Sequence, residues 1–162
     1  MIVVTDTSVV LNLCLLELEE VLSALFSVVQ APLAVKDEFV HLVNADPRFA
    51  GLTFPSFIIL RSFSVIHPLL STPRLHRGEC EVLSLAAEIQ ASRVLMDERA
   101  GRAAASKLGL QCIGLLGILI EARRRNLIPA IAPQLDRLQN EARFWFSPTL
   151  RLQVLQLAGE LK

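Results

Sequence analysis

IVVTDTSVVLNL, residues 2–13, runs through four strand-forming residues and then meets a lone carboxylate, Asp6. The β-branched run at 2–5 is short and apolar, which predicts a buried strand. Helical periodicity follows over about 8–26, so Asp6 stands where a strand hands over to a helix. The pattern recurs at RVLM, residues 93–96, a strand ending at Asp97, followed by an alanine-rich helix at 100–108 closed by Gly109.

The segments between extend the alternation. SVVQA at 27–31 reads as a strand stopped by Pro32, and LAVKDEFVHLVN at 33–44 has helical period. GECEVLSLAAEIQ at 78–90 is a helix, QCI at 111–113 a further strand, and LLGILIEARRRN at 115–126 a helix with a basic end. The remainder is helical, with FWF at 144–146 as an edge strand and Ser147-Pro148 as the N-cap and N1 pair of a last helix. Residues 47–76 are broken by Pro47, Pro55, Pro68 and Pro73; they predict short helical pieces and a strand around 63–66. Strands alternating with helices predict an α/β layer fold with a mainly parallel sheet, whose functional groups gather at the carboxyl ends of the strands. The 162 residues make one domain, 1–162, with a C-terminal helical extension from about 134.

Composition excludes several classes. The chain is 52% hydrophobic, yet its longest uncharged apolar runs, at 112–120 and 57–60, fall far short of the ~20 residues that span a membrane. No basic segment with a cleavage site precedes an apolar stretch, so no signal peptide is expected. The apolar surplus instead points to strands buried on both faces and to a homodimer interface. Cys14, Cys80 and Cys112 are odd in number and far apart, which argues against disulfides or a zinc site and fits a reducing, cytoplasmic setting. His41, His67 and His76 are isolated and read as surface or packing residues. Net charge is zero but unevenly spread: residues 1–50 hold two basic and seven acidic groups, residues 101–162 nine and four. A local basic rim is therefore available for phosphates even though the whole chain is neutral.

The carboxylates carry the chemistry. Asp6 and Asp97 fall at the carboxyl ends of parallel strands, where each alone is equally well explained as a helix cap. On the 78–90 helix, Glu79 lies among Val82, Leu83 and Ala86 at the centre of the apolar stripe, while Glu81 and Glu88 fall on the opposite face. In the first turn Glu79 is also free to favour the helix dipole. On the 33–44 helix, Glu38 flanks the stripe of Val35, Phe39, Leu42 and Val43, as a boundary glutamate would. Taken jointly, four carboxylates would repel one another and raise each other's pKa unless a hard divalent cation joined them. Phosphoryl transfer is the chemistry that uses such a pocket.

These residues resemble a known family, the PIN domain. IVVTDTSVVLNL is similar to its opening strand with Asp-Thr-Ser, VKDEFV to its second acidic motif, RGECEVLSLAAE to its third, and VLMDERAGRAAASKLGL to the segment with its last acidic group. CIGLLGILIEARRRNLIP, with a tail ending in FSPTLRLQVLQLAGE, resembles a prokaryotic subfamily related to VapC-type toxins. The resemblance implies a three-layer α/β/α fold and a metal-dependent ribonuclease, the toxin of a toxin–antitoxin pair. It makes Asp6, Glu38, Glu79 and Asp97 both the catalytic residues and the ligands of Mg²⁺ or Mn²⁺, with Ser8 and Glu98 in support. It also implies an RNA substrate, an antitoxin protein over the acidic cleft, and a homodimer. Arg99 and Arg102 stand where they reach phosphate or remain solvated; Arg123 to Arg125 read as a solvated helix end. One competing reading is a PIN-like module that binds RNA or protein without cutting. A haloacid-dehalogenase-like phosphatase would need Asp-x-Asp after the first strand, and position 8 is Ser.

Overall fold

The computed structural model describes residues 1–70 and 74–161, which leaves Pro73, one of the four expected interruptions, outside the described residues. Five strands form one parallel sheet in the order β3-β2-β1-β4-β5: β1 Ile2–Thr5, β2 Val28–Pro32, β3 Ile59–Arg61, β4 Arg93–Leu95 and β5 Cys112–Ile113. β1 is central, with Val3 paired to Val29 on one side and to Arg93 on the other. Val3, Val4, Val94 and Leu95 have no solvent exposure, because helices flank both faces of the sheet. The mainly parallel α/β architecture is as the alternation of segments predicts.

Helices connect the strands. α1 Thr7–Leu15 and α2 Glu20–Leu25 join β1 to β2, and α3 Leu33–Ala45 follows β2. α4 Arg77–Glu88 precedes β4, α5 Arg99–Lys107 precedes β5, and α6 Leu115–Arg124, α7 Ala132–Asn140 and α8 Pro148–Leu157 complete the chain. α4 lies against β1, β2 and β4 and also touches α3 and α5, whereas α1 and α2 meet α6, on which α8 rests. No helix among the described residues is long and apolar enough to cross a membrane.

Four expectations are corrected. The single helix expected over 8–26 is two, because Glu17 takes a left-handed conformation at φ 58°. There the Leu18 N–H bonds to the Leu13 carbonyl and the Glu17 N–H to the Cys14 carbonyl, a Schellman closure. The strand expected at 63–66 lies instead at Ile59–Arg61, where Ile59 pairs with Gln30. FWF at 144–146 pairs with no strand among the described residues, although its burial alternates as an extended segment's would: Phe144 is partly buried, Trp145 exposed and Phe146 buried. Glu81 is partly buried beside Arg77 rather than on an open face. The last helix begins as expected, with Ser147 Oγ accepting the Leu150 N–H at 3.1 Å.

Two contacts tie the C-terminal helices to the rest. Arg137 on α7 donates from both terminal nitrogens to the Leu15 and Leu16 carbonyls, at 3.1 and 3.2 Å, at the C-terminus of α1. A guanidinium there satisfies free carbonyls and meets the negative end of the helix dipole. Glu160 accepts the Ile131 and Ala132 N–H groups at the start of α7.

Candidate active site

β1 ends at Thr5 and the chain turns at once into α1, so Asp6 sits at the carboxyl edge of the central strand. Its N–H extends the β1–β4 ladder by bonding the Leu95 carbonyl at 2.9 Å. Its Oδ1 accepts the Val9 N–H at 3.0 Å, capping α1. The side chain is buried, at 7% exposure. Burial pushes the Asp6 carboxyl up to about 8; the Val9 N–H opposes this, and the charges of Asp97, Glu38 and Glu79 add to it. Three carboxylates from three other elements therefore act on this one group.

Glu38 comes from α3, one turn beyond Val35, whose side chain is buried. Thr7 Oγ1 donates to Glu38 Oε2 at 3.0 Å, tying the first turn of α1 to α3. Glu79, in the first turn of α4, is buried, and His76 holds it on two sides. His76 Nδ1 accepts the Glu79 N–H at 3.3 Å, and His76 Nε2 lies 3.0 Å from Glu79 Oε1. Burial raises the Glu79 pKa, with His76 opposing and the charges of Glu98 and Glu38 adding to the rise. Gly78 keeps the floor open: a Cβ there would sit 3.3 Å from Glu38 Oε2 and from the His76 ring.

Asp97 follows β4 and caps α6, where its Oδ1 accepts the Leu115 N–H at 3.0 Å. Burial raises its pKa against the pull of that N–H and of Arg102, while Glu98 adds to the rise.

The resulting cleft has a volume of ≈ 100 Å³ and is lined by Asp6, Thr7, Ser8, Glu38, Glu79 and Glu98, with Gly78 and His76 at its side. Asp97 adds its charge to those acting on Asp6 and lines a neighbouring groove in place of the cleft. The structure thus brings Asp6, Glu38, Glu79 and Asp97 around one edge of the sheet, with Ser8 and Glu98 on the cleft wall. Arg102 lies beside Asp97, and Arg99 is exposed on the first turn of α5. Arg123, Arg124 and Arg125 are elsewhere, at the far end of α6, where Arg124 and Arg125 line a cavity with Met1 and Arg93 at the amino ends of the strands.

The donor set suits a hard cation. Glu79 Oε2 and Asp97 Oδ2 are buried without a hydrogen-bond donor among the described residues, and each would be satisfied by positive charge. Among the described residues, no three His, Cys, Asp or Glu side chains form a ready-made ligand cluster. The oxygen donors here are nevertheless of the type that hard cations such as Mg²⁺ take, with waters completing the shell.

Two residues of this cleft escape a reading for carboxylates, Thr7 and His76. Thr7 is the middle residue of Asp-Thr-Ser, and its contact with Glu38 is tertiary. His76 does carry a sequence signal: His-x-x-Glu places a cap three residues before the glutamate it holds.

A family model described as DUF3368, a PIN domain, matches residues 2–160. Among solved structures, a PilT N-terminus domain protein from the hyperthermophilic archaeon Sulfolobus solfataricus P2 is similar at 18% identity. It has a TM-score of 0.55 and covers 75% of this chain and 92% of its own, a likeness of fold. No curated protein matches the sequence. With the model spanning all but the first residue and the last two, this chain belongs to the PIN domain family.

Proposed function

We propose that this chain is a divalent-cation-dependent endoribonuclease that hydrolyses RNA phosphodiester bonds, and that it is the toxin of a VapC-like toxin–antitoxin pair. PIN domains are generally nucleases, which gives the reaction class. The observation that carries the reading is Asp6: a buried carboxylate facing Asp97, Glu38 and Glu79, with its pKa pushed up to about 8. Four acids gathered this way are costly to leave together without a cation.

Asp6, Glu38, Glu79 and Asp97 would hold Mg²⁺ or Mn²⁺, which when bound supplies Lewis-acid activation of water and neutralises charge on the phosphate. The chain's own residues set up that site. Val9 and Leu115 N–H groups fix one oxygen each of Asp6 and Asp97 and leave the other oxygen free. Thr7 turns Glu38, and His76 turns Glu79, toward the cleft. Ser8 and Glu98 line the cleft, where they would support the cation's waters, and Arg102, beside Asp97, would meet a phosphate. The chain would act as one domain in the cytoplasm, as a homodimer whose acidic cleft is covered by its antitoxin.

The test is RNA cleavage by purified protein with and without Mg²⁺ or Mn²⁺, beside Asp6→Asn. Cleavage that requires the cation and disappears in the variant is the expected result. Cation-independent cleavage that survives the substitution overturns the reading.

A further inference from the structure

Beside Asp97 a second groove opens, larger than the cleft at ≈ 440 Å³, and lined by Asp97, Arg102, Cys112, Phe144, Trp145 and Leu150 among others. Trp145 is 82% exposed, the most exposed large apolar side chain among the described residues. It is also the only tryptophan in a chain without tyrosine. Its neighbours explain how it is held. Phe146 is buried, Phe144 packs partly against the core, and the Phe144 N–H bonds to the Leu138 carbonyl at 2.9 Å. The segment is thus anchored on either side of a ring presented to solvent.

Aromatic faces and a guanidinium in one groove are the chemistry that takes a single nucleic-acid strand. A ring stacks on any base, and an arginine meets the phosphate. Asp97 connects this groove to the candidate site, since its carboxylate lines the groove while its charge acts on Asp6. Gly114 lets the two charged groups come together: a Cβ there would lie 2.5 Å from Asp97 Oδ1 and 3.0 Å from Arg102 Nη1. We propose that this groove is a nucleobase-stacking subsite for single-stranded RNA, in which a base stacks on Trp145 and Arg102 takes an adjacent phosphate. The inference rests on the ribonuclease reading and adds to it a second point of attachment for the strand, at Trp145. Bases in a duplex stay stacked on each other and offer Trp145 no free face.

Trp145 is its own probe, because its indole is the only one in the chain. The experiment uses Asp6→Asn protein, so that bound RNA stays whole, and titrates it with oligouridylate, a duplex of equal length and an abasic ribose-phosphate oligomer. Saturable quenching of the indole by oligouridylate alone is the expected result. Labelled oligouridylate should bind Asp6→Asn/Trp145→Ala about tenfold or more weakly, and Asp6→Asn/Trp145→Phe nearly as well as Asp6→Asn. Binding without quenching, no binding, or equal affinity after Trp145→Ala overturns the proposal. If Trp145→Ala instead turns a dimer into a monomer in sedimentation with RNA affinity unchanged, a second copy of the chain covers the groove, and the proposal fails. Quenching by RNA that wild type with Mg²⁺ does not cleave leaves the subsite standing and sinks the ribonuclease reading; cleavage with no quenching does the reverse.

Discussion

His76 holds Glu79 at both ends, its Nδ1 accepting the Glu79 backbone N–H at 3.3 Å and its Nε2 lying 3.0 Å from Glu79 Oε1. A neutral imidazole protonated on Nε2 satisfies both contacts at once. His76→Ala removes the helix cap and leaves both oxygens of a buried carboxylate without a donor. It should destabilise the protein by about 1–3 kcal/mol in urea unfolding. His76→Ser restores a cap but cannot reach the carboxylate, so it should recover only part of the loss. Full recovery by Ser would mean that the contact to Glu79 Oε1 contributes nothing.

Stability of the cation-free protein should fall as pH rises from about 5 to 8. The Asp6 carboxyl has its folded pKa raised from 3.8 to about 8. Between those values the unfolded chain has released its proton and the folded chain has kept it, so the folded state binds more protons and loses stability as pH rises. Asp97 and Glu79 are raised too and contribute with the same sign. Asp46 and Glu88 shift downward, so what they contribute is lost only at lower pH, outside this window. Thermal melts across this range check the slope; Mg²⁺ should raise the melting temperature more at pH 8 than at pH 5, since the ligands must ionise to bind it.

Asp6→Asn should stabilise the cation-free protein at pH 8 while abolishing cleavage. Asn caps about as well as Asp, so α1 keeps its start, and a buried charge facing three others is gone. A gain of about 1–3 kcal/mol in urea unfolding is expected, shrinking at pH 5, where Asp6 is already neutral in the fold. A loss of stability at pH 8 would show that the carboxylate is not repelled by its neighbours.

Gly114→Ala tests how closely Asp97 is packed. The added methyl would lie 2.5 Å from Asp97 Oδ1, which already accepts the Leu115 N–H, so the carboxylate must move. The expected cost is about 1–3 kcal/mol, together with weaker Mg²⁺ or Mn²⁺ binding by calorimetry. Unchanged cation affinity would separate Asp97 from the ligand set.

Gln90→Gly should add about 1 kcal/mol to stability. Gln90 is exposed and held at φ 53°, a region that costs side-chain-bearing residues and suits glycine. A fall in the urea midpoint would mean that the Gln90 side chain contributes more than the strain it carries.

The same closures explain what could and could not be read beforehand. Five helices end in the Schellman pattern, with the left-handed position filled by Gly109 and Gly159 but also by Glu17, Gln90 and Asn126. Gly109 announces the end of α5 in the sequence; Glu17 announces nothing, so the break between α1 and α2 has no local signal. β1, β2 and β4 are legible because burial on both faces demands unbroken apolar runs. β3 is an edge strand with Ile59 and Arg61 exposed, so only its pairing with β2 defines it. Asp6, Asp97 and Glu79 stand out as carboxylates where the local pattern calls for apolar neighbours. Thr7 and Gly114 do not, because their importance lies in contacts with residues far along the chain.

The register of β1 against β4 has a further consequence, in time rather than in space. Thr5 pairs with Leu95, ninety positions later, and the charge of Asp97 joins those acting on Asp6 when that pairing forms. Pairings so distant in sequence close late, because the loop entropy must be overcome first. A chain emerging from the ribosome therefore presents Asp6 and Glu38 well before β4 is available to bring in Asp97. Whatever this edge of the sheet does, the molecule does none of it until most of its length has been made.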